Sequence, residues 1–336
     1  MEIVSFGKTG LKVSRLCCGT MTVGSSKWKP WVLDKAEARP VLKKCLDLGI
    51  TFFDTANWYS TGESERVVAS MLASMVPRNQ LVLATKAFYA MSDDPNDRGL
   101  SRKHLLSSVD ASLRRMDTDH IDLFVIHGFD PDTPIEETMQ ALHDIVKAGK
   151  VRYLGASTMF AWQFARMNHV ARDNGWTPFV NMQCQYNLLY REEEREMLPY
   201  CRYHGIAVTA FSPLARGWLS GSNRTRSETD IHFTNMYGDA LDREICARVE
   251  AVADERRTTM ATVALAWVLS KHDVCCPIIG ASTASQVENN VEALDFELTA
   301  EEIEILDAMY RPRDVINDHV PNPMPRYLEG KTNASG

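Results

Sequence analysis

The chain has 336 residues, 45% hydrophobic and 24% charged, an ordinary globular composition that excludes a disordered or collagen-like polypeptide. Lys and Arg number 37 against 44 Asp and Glu, for a formal charge of −7, so no nucleic-acid partner is expected. No run approaches the ~18 apolar residues of a membrane span. Met1–Ser5 lacks the basic-then-apolar layout of a signal peptide, so the expected location is cytoplasmic, with no membrane partner.

In chain order, Glu2–Phe6, Lys8-Thr9-Gly10 and Leu11–Val13 read as a β-hairpin. Short apolar runs then alternate with amphipathic stretches. Arg15–Cys18 precedes a helix over Asp34–Asp47, with Asp34 as N-cap and Glu37 completing a capping box. Ile50–Phe53 precedes Ser64–Met75, and Leu81–Ala84 precedes Ser101–Met116. Ile121–Ile126 precedes Pro134–Ala148, where the proline suits a first helical turn. Val151–Ala156 precedes a helix that stops near Asn174-Gly175. Phe179–Met182 precedes the charged stretch Arg191–Tyr203, whose Arg191–Arg195 run reads as a solvated helix face. Ile206–Phe211 precedes a long Gly/Ser/Arg loop and helices over Ala240–Ala253 and Met260–Ser270. Val274–Ile279 precedes Ala284–Leu294. Eight βα units predict an α/β chain folded as one (β/α)8 TIM barrel domain, with extra helices and loops at its mouth. The hairpin lies at about 2–13, the barrel at about 15–295, and a C-terminal helix and irregular Pro-rich tail at about 300–336. The 8 Cys contain no CxxC and read as buried free thiols.

Such barrels carry their chemistry at the C-terminal ends of the strands. That singles out Gly19-Thr20-Met21, Asp54–Tyr59, Thr85-Lys86, His127, Ser157-Thr158, Gln183 and Ser212-Pro213-Leu214. Asp54, Lys86 and His127 end three consecutive strands and therefore meet in space. A free tyrosine titrates near pH ~10, and a neighbouring ammonium lowers that value. Lys86 is expected to lower Tyr59, Asp54 to hold Lys86 charged, and His127 to hydrogen-bond a carbonyl oxygen. The set suits proton transfer to an oxygen as hydride reaches its carbon. No metal is expected, because the histidines show no paired ligand spacing. Trp28, Trp58, Phe88 and Phe129 follow strands and are expected to line an apolar substrate pocket, with Trp31 left outside that set.

These residues also carry a family resemblance. Phe52–Tyr59 followed by Gly62-Glu63-Ser64-Glu65, Thr85-Lys86, Asp122–His127, Phe6–Ser14 and Gln183–Tyr190 resemble the aldo-keto reductase superfamily, from Val4 to Leu306. The resemblance implies a nicotinamide dinucleotide cofactor, NADP(H) ahead of NAD(H), with Tyr59 as general acid/base. It implies that Lys86 and Asp54 tune Tyr59 and that His127 orients the carbonyl. Implied cofactor contacts are Gly19, Thr20, Met21, Asp54, Ser157, Thr158 and Gln183, with Phe211 stacking on the nicotinamide. Ser212, Leu214 and Gly217 would follow the pyrophosphate, and Gly280, Ser282, Gln286, Asn289 and Asn290 the adenosine end. Some positions depart from the common pattern. Thr158 stands where many relatives have Asn, Phe211 where Tyr is common, Ser222 where many have Lys, and Ser282 where many have Arg. These last two changes shift the expected 2′-phosphate partner to Arg224 or Arg226.

The implied function is an NADP(H)-dependent oxidoreductase of the alcohol dehydrogenase/carbonyl reductase type. It would interconvert aldehydes or ketones and alcohols, on a small apolar or aromatic substrate. The alternative is a nucleotide-binding regulatory subunit with little turnover, resembling potassium-channel β-subunits. The physiological substrate, the cellular direction and any oligomerisation are not encoded. The tail near Met324 and Tyr327 is expected to close over the pocket.

Overall fold

The computed structural model describes residues 1–221 and 236–315. Strand β1 (Ile3–Ser5) pairs antiparallel with β2 (Lys12–Ser14), as the hairpin pattern predicts. Eight parallel strands then close into a barrel: β3 (Cys17–Gly19), β4 (Phe52–Asp54), β5 (Val82–Ala87), β6 (Ile121–Ile126), β7 (Val151–Ser157), β8 (Asn181–Gln185), β9 (Ala207–Phe211) and β10 (Cys276–Ile279). They follow one another in chain order around the barrel, and β10 closes it between β9 and β3. Helices α1 (Lys35–Asp47), α2 (Glu63–Ala73), α3 (Arg102–Met116), α4 (Ile135–Lys147), α5 (Ala161–Asp173) and α6 (Met197–His204) alternate with the strands. Among the described residues, helices α7 (Ala240–Glu255) and α8 (Met260–Ser270) lie between β9 and β10. Helices α9 (Ala284–Glu292) and α10 (Ala300–Asp307) complete the described chain. The fold is the expected (β/α)8 barrel with its N-terminal hairpin.

Period-two alternation builds both layers of the core. Phe52 points inward, where it meets Phe6 edge-on at 5.8 Å and joins Val13, Cys17, Val82, Leu123 and Cys276. Phe53 points outward onto Val41 and Leu42 of α1 and Val67 and Leu72 of α2. The inward row continues upward two residues at a time, from Phe52 to Asp54, from Ala84 to Lys86 and from Val125 to His127. The same alternation that fills the base of the barrel therefore delivers ionisable side chains to its mouth. All eight cysteines are free thiols, six of them buried. Among the described residues, no helix is long and apolar enough to cross a membrane.

Helix ends follow local chemistry with one revision. Asp34 caps α1 in a capping box with Glu37, whose Oε2 accepts the Asp34 N–H at 3.1 Å, and the Asp34 carboxylate also accepts from the Ser26 N–H and hydroxyl, each at 2.8 Å, and so ties down the preceding loop. The charged stretch Arg191–Tyr203 is not one helix. A 3-10 turn (Glu192–Glu194) precedes α6, because the charges turn inward. Arg191 donates to Glu194 at 2.9 and 3.0 Å and to Asp307 at 2.7 Å. Glu192 accepts from the Tyr310 hydroxyl at 2.7 Å and the Arg313 N–H at 2.8 Å. The expected solvated face is an ion-pair hub that fastens the chain after α10.

Candidate active site

Asp54 ends β4, Lys86 sits one residue from the end of β5, and His127 directly follows β6. Tyr59 opens the 3-10 turn Tyr59–Gly62, which leads into α2. Lys86 has 0% exposure. Its Nζ donates to Asp54 Oδ2 at 2.5 Å, to the Thr55 carbonyl at 2.8 Å and to the Tyr59 hydroxyl at 3.3 Å. The other Asp54 oxygen accepts from Gln183 Nε2 at 3.0 Å. The Tyr59 and His127 rings lie edge to face, 5.9 Å apart. These side chains come from β4, β5 and β8, from the turn before α2 and from the residue after β6, and they converge at one point.

Burial pushes the Tyr59 phenol up from its ordinary value, while Lys86 pulls it down and Asp54 pushes it up again. The net direction is upward, which corrects the expectation that Lys86 leaves this tyrosine below its usual range. Burial lowers the Lys86 ammonium, but Asp54 and Tyr59 more than offset that, so it lies above the ordinary lysine value. The pair therefore holds a protonated phenol beside a protonated amine, an arrangement able to give a proton to a developing alkoxide.

A cleft of about 1110 Å³ opens above this point. Tyr59, His127 and Asp54 form its floor with Gly19, Thr20 and Met21, and Lys86 lies behind them. Ser157, Thr158, Gln183 and Phe211 form one wall. Ser212, Leu214 and Gly217 follow along the cleft, and Gly280, Ser282, Gln286, Asn289 and Asn290 line it from β10 to α9. Thr158 (φ 50°) and Ser212 (φ 51°) hold left-handed backbone where their strands end, a strain typical of ligand-facing positions.

The aromatic set is redistributed. Trp58 lines the cleft, joined by Trp31 and by Tyr89, which the strand-end pattern missed. Trp28 packs edge-on against Trp58 at 5.1 Å and against Trp31 at 6.1 Å, and does not itself line the cleft. Phe88 packs on the outer core and meets Tyr89 at 5.6 Å, and Phe129 is buried in that core, 6.2 Å from Trp162. Neither is a cleft residue; their neighbours Tyr89 and His127 face the cleft instead. Arg216, also absent from the predicted set, lines the cleft. Ser222, Arg224, Arg226, Met324 and Tyr327 lie outside the described residues.

Comparison with known proteins agrees with this geometry. The profile of the Aldo/keto reductase family matches residues 15–311. An aldo-keto reductase of Fusarium vanettenii is 42% identical over 92% of this chain and 91% of its own. The versiconal hemiacetal acetate reductase of Aspergillus parasiticus is 40% identical over 94% of this chain and 98% of its own. A Saccharomyces cerevisiae protein with the provisional name of aryl-alcohol dehydrogenase is 39% identical over 92% of this chain and 97% of its own. A barrel whose polar strand ends converge beneath one long cleft, matched from its first barrel strand past its last helix, is thus an oxidoreductase of the aldo/keto reductase family.

Proposed function

We propose that this protein is an NADP(H)-dependent oxidoreductase that reduces aldehydes or ketones to alcohols, or runs the reverse, with Tyr59 as its general acid/base. The observation that carries this reading is the Tyr59 hydroxyl, 3.3 Å from an ammonium that Asp54 holds at 2.5 Å, in the floor of the cleft. The cleft walls suit a dinucleotide. Gln183 is 3% exposed, and because a carboxylate only accepts, its amide nitrogen must face Asp54. Its carbonyl oxygen is then left as an acceptor in the wall. Ser157 and Thr158, whose hydroxyls lie 3.0 Å apart, share one hydrogen bond and retain a further donor. Donor and acceptor together match a primary carboxamide, and Phe211 offers a ring for stacking. Ser212, Leu214 and Gly217 would hold the pyrophosphate, and Gly280, Ser282, Gln286, Asn289 and Asn290 the adenosine.

The nicotinamide, when bound, supplies or accepts the hydride. The chain's own residues manage the proton and the substrate. His127 orients the carbonyl oxygen toward Tyr59. The Tyr59 proton passes to that oxygen, and the Lys86 ammonium stabilises the tyrosinate left behind. Asp54 keeps Lys86 charged, and Gln183 keeps Asp54 in place. Trp31, Trp58 and Tyr89 present flat apolar surface to the substrate, which favours aryl aldehydes and similar ring compounds. The names carried by the Aspergillus and Saccharomyces relatives support a carbonyl or aryl-alcohol substrate class.

The test is nicotinamide absorbance with NADPH and then NADH on addition of an activated aryl aldehyde, with Tyr59→Phe run alongside. Turnover is expected with NADPH, and Tyr59→Phe should lose most of it while binding cofactor normally. Near-normal turnover in Tyr59→Phe removes the assigned acid. Cofactor binding without turnover across a broad carbonyl panel moves the reading to a regulatory nucleotide-binding module.

A further inference from the structure

The three residues after Tyr59 all hold left-handed backbone: Ser60 at φ 50°, Thr61 at φ 51° and Gly62 at φ 88°. That geometry is costly for any residue with a Cβ, and most for a β-branched one such as Thr61. Such outliers persist only where their surroundings over-determine them. Here the turn is clamped from two sides. On one side, the Ser25 N–H donates to Ser60 Oγ at 3.2 Å, and Gly24 sits so close that a Cβ there would overlap the same hydroxyl. On the other, Arg115 of α3 lies against Gly62, where a Cβ would come within 2.6 Å of the arginine Cδ.

Arg115 is itself held. Its Nε donates to one oxygen of Glu65, and its Nη2 donates to the Ser112 hydroxyl at 3.1 Å. Glu65 is fully buried, and its other oxygen accepts from the Thr85 hydroxyl at 2.6 Å. Thr85 is the neighbour of Lys86 on β5. The path Thr85–Glu65–Arg115–Gly62 thus joins the strand that carries Lys86 to the turn that carries Tyr59. None of these four residues lines the cleft. A fully buried carboxylate paired with a partly buried guanidinium is a poor choice for stability alone, since apolar side chains of similar volume often serve as well or better.

We propose that Glu65 and Arg115 are positioning residues, a brace that keeps the strained turn closed and so sets the Tyr59 hydroxyl against the Lys86 ammonium. This rests on Tyr59 being the acid. Proton transfer is sensitive to small displacements, so loosening the brace should act on turnover rather than on binding.

The experiment compares Arg115→Met, Arg115→Lys, Gly62→Ala and Tyr59→Phe in the full-length protein. Gly62→Ala leaves both charged groups in the chain but sets a Cβ within 2.8 Å of the Arg115 Nε that donates to Glu65, so it strains the turn from its own side. Four quantities are read: NADPH affinity by fluorescence titration, kcat and KM for an aryl aldehyde, the pH profile of kcat, and amide hydrogen exchange across residues 58–64 without cofactor. Arg115→Met and Gly62→Ala should lower kcat about tenfold or more, with KM and NADPH Kd changed by about twofold or less. They should also move the alkaline limb of the kcat profile and speed exchange across the turn, and Arg115→Lys should recover part of the loss. The brace is overturned if kcat and its pH profile are unchanged in molecules that bind NADPH and only the melting temperature falls. Should Arg115→Met not fold, Arg115→Lys and Gly62→Ala decide between the same two outcomes. Retained turnover in Tyr59→Phe overturns the acid assignment itself, whereas its loss alongside unaffected brace variants overturns the brace alone.

Discussion

Tyr59 is a phenol at 8% exposure, and its environment decides which proton state the protein carries at neutral pH. Burial raises its pKa, and the opposing pull of Lys86 does not bring it back. The sign follows directly. The folded value lies above the unfolded value of ~10, so the protonated form is the favoured one below that pH. Its contribution to stability is complete there and is lost as pH rises through the folded value. We therefore expect kcat for carbonyl reduction to stay flat across neutral pH and to fall only in the alkaline range. Alcohol oxidation, which needs the phenol to accept a proton, should rise over that same range. Initial rates in both directions against pH check this, and a reduction limb falling between about pH 6 and 8 would assign the proton to a histidine instead.

Among the elements, α10 illustrates how a terminal helix is attached. Asp307 at its last turn accepts from Arg191 at 2.7 Å, from the buried Trp267 indole N–H at 2.9 Å and from Lys271 at 3.2 Å. Asp307→Ala leaves a buried indole N–H and a partly buried guanidinium short of an acceptor. The expected cost is about 2 kcal/mol, or a few degrees of melting temperature. Because α10 lies away from the cleft, kcat and cofactor affinity should be unchanged, and calorimetry paired with a rate assay tests both halves. Most elements are legible from local sequence. The capping acid Glu37 and the stop at Asn174-Gly175 are local signals, and both mark real helix ends. The 191–203 stretch is not, since a charge run looks the same whether it faces water or an ion-pair hub. Only Asp307, Tyr310 and Arg313, more than a hundred residues away, distinguish the two.

For the complete barrel, ligand binding is linked to stability. A cofactor that binds only the folded chain adds about 2.7 kcal/mol at a hundred times its Kd. NADPH should therefore raise the melting temperature by several degrees, and NADH at equal concentration by less. An equal shift with both would remove the preference for the phosphorylated cofactor. The chain order of strands and helices carries the architecture, because period-two and helical repeats are local and each apolar run names its own inward face. From that face follow Asp54, Lys86 and His127 at the mouth, and with Tyr59 they form the cluster of the candidate site. Loop paths are different. Trp31 and Tyr89 line the cleft while Trp28 packs on Trp58 and Phe88 and Phe129 pack into the outer core, and those partners lie on other elements that only the fold brings near. The upward shift of Tyr59 is likewise a property of the assembled barrel. A neighbouring ammonium is visible in a motif, but the depth of burial that outweighs it exists only once eight strands have closed.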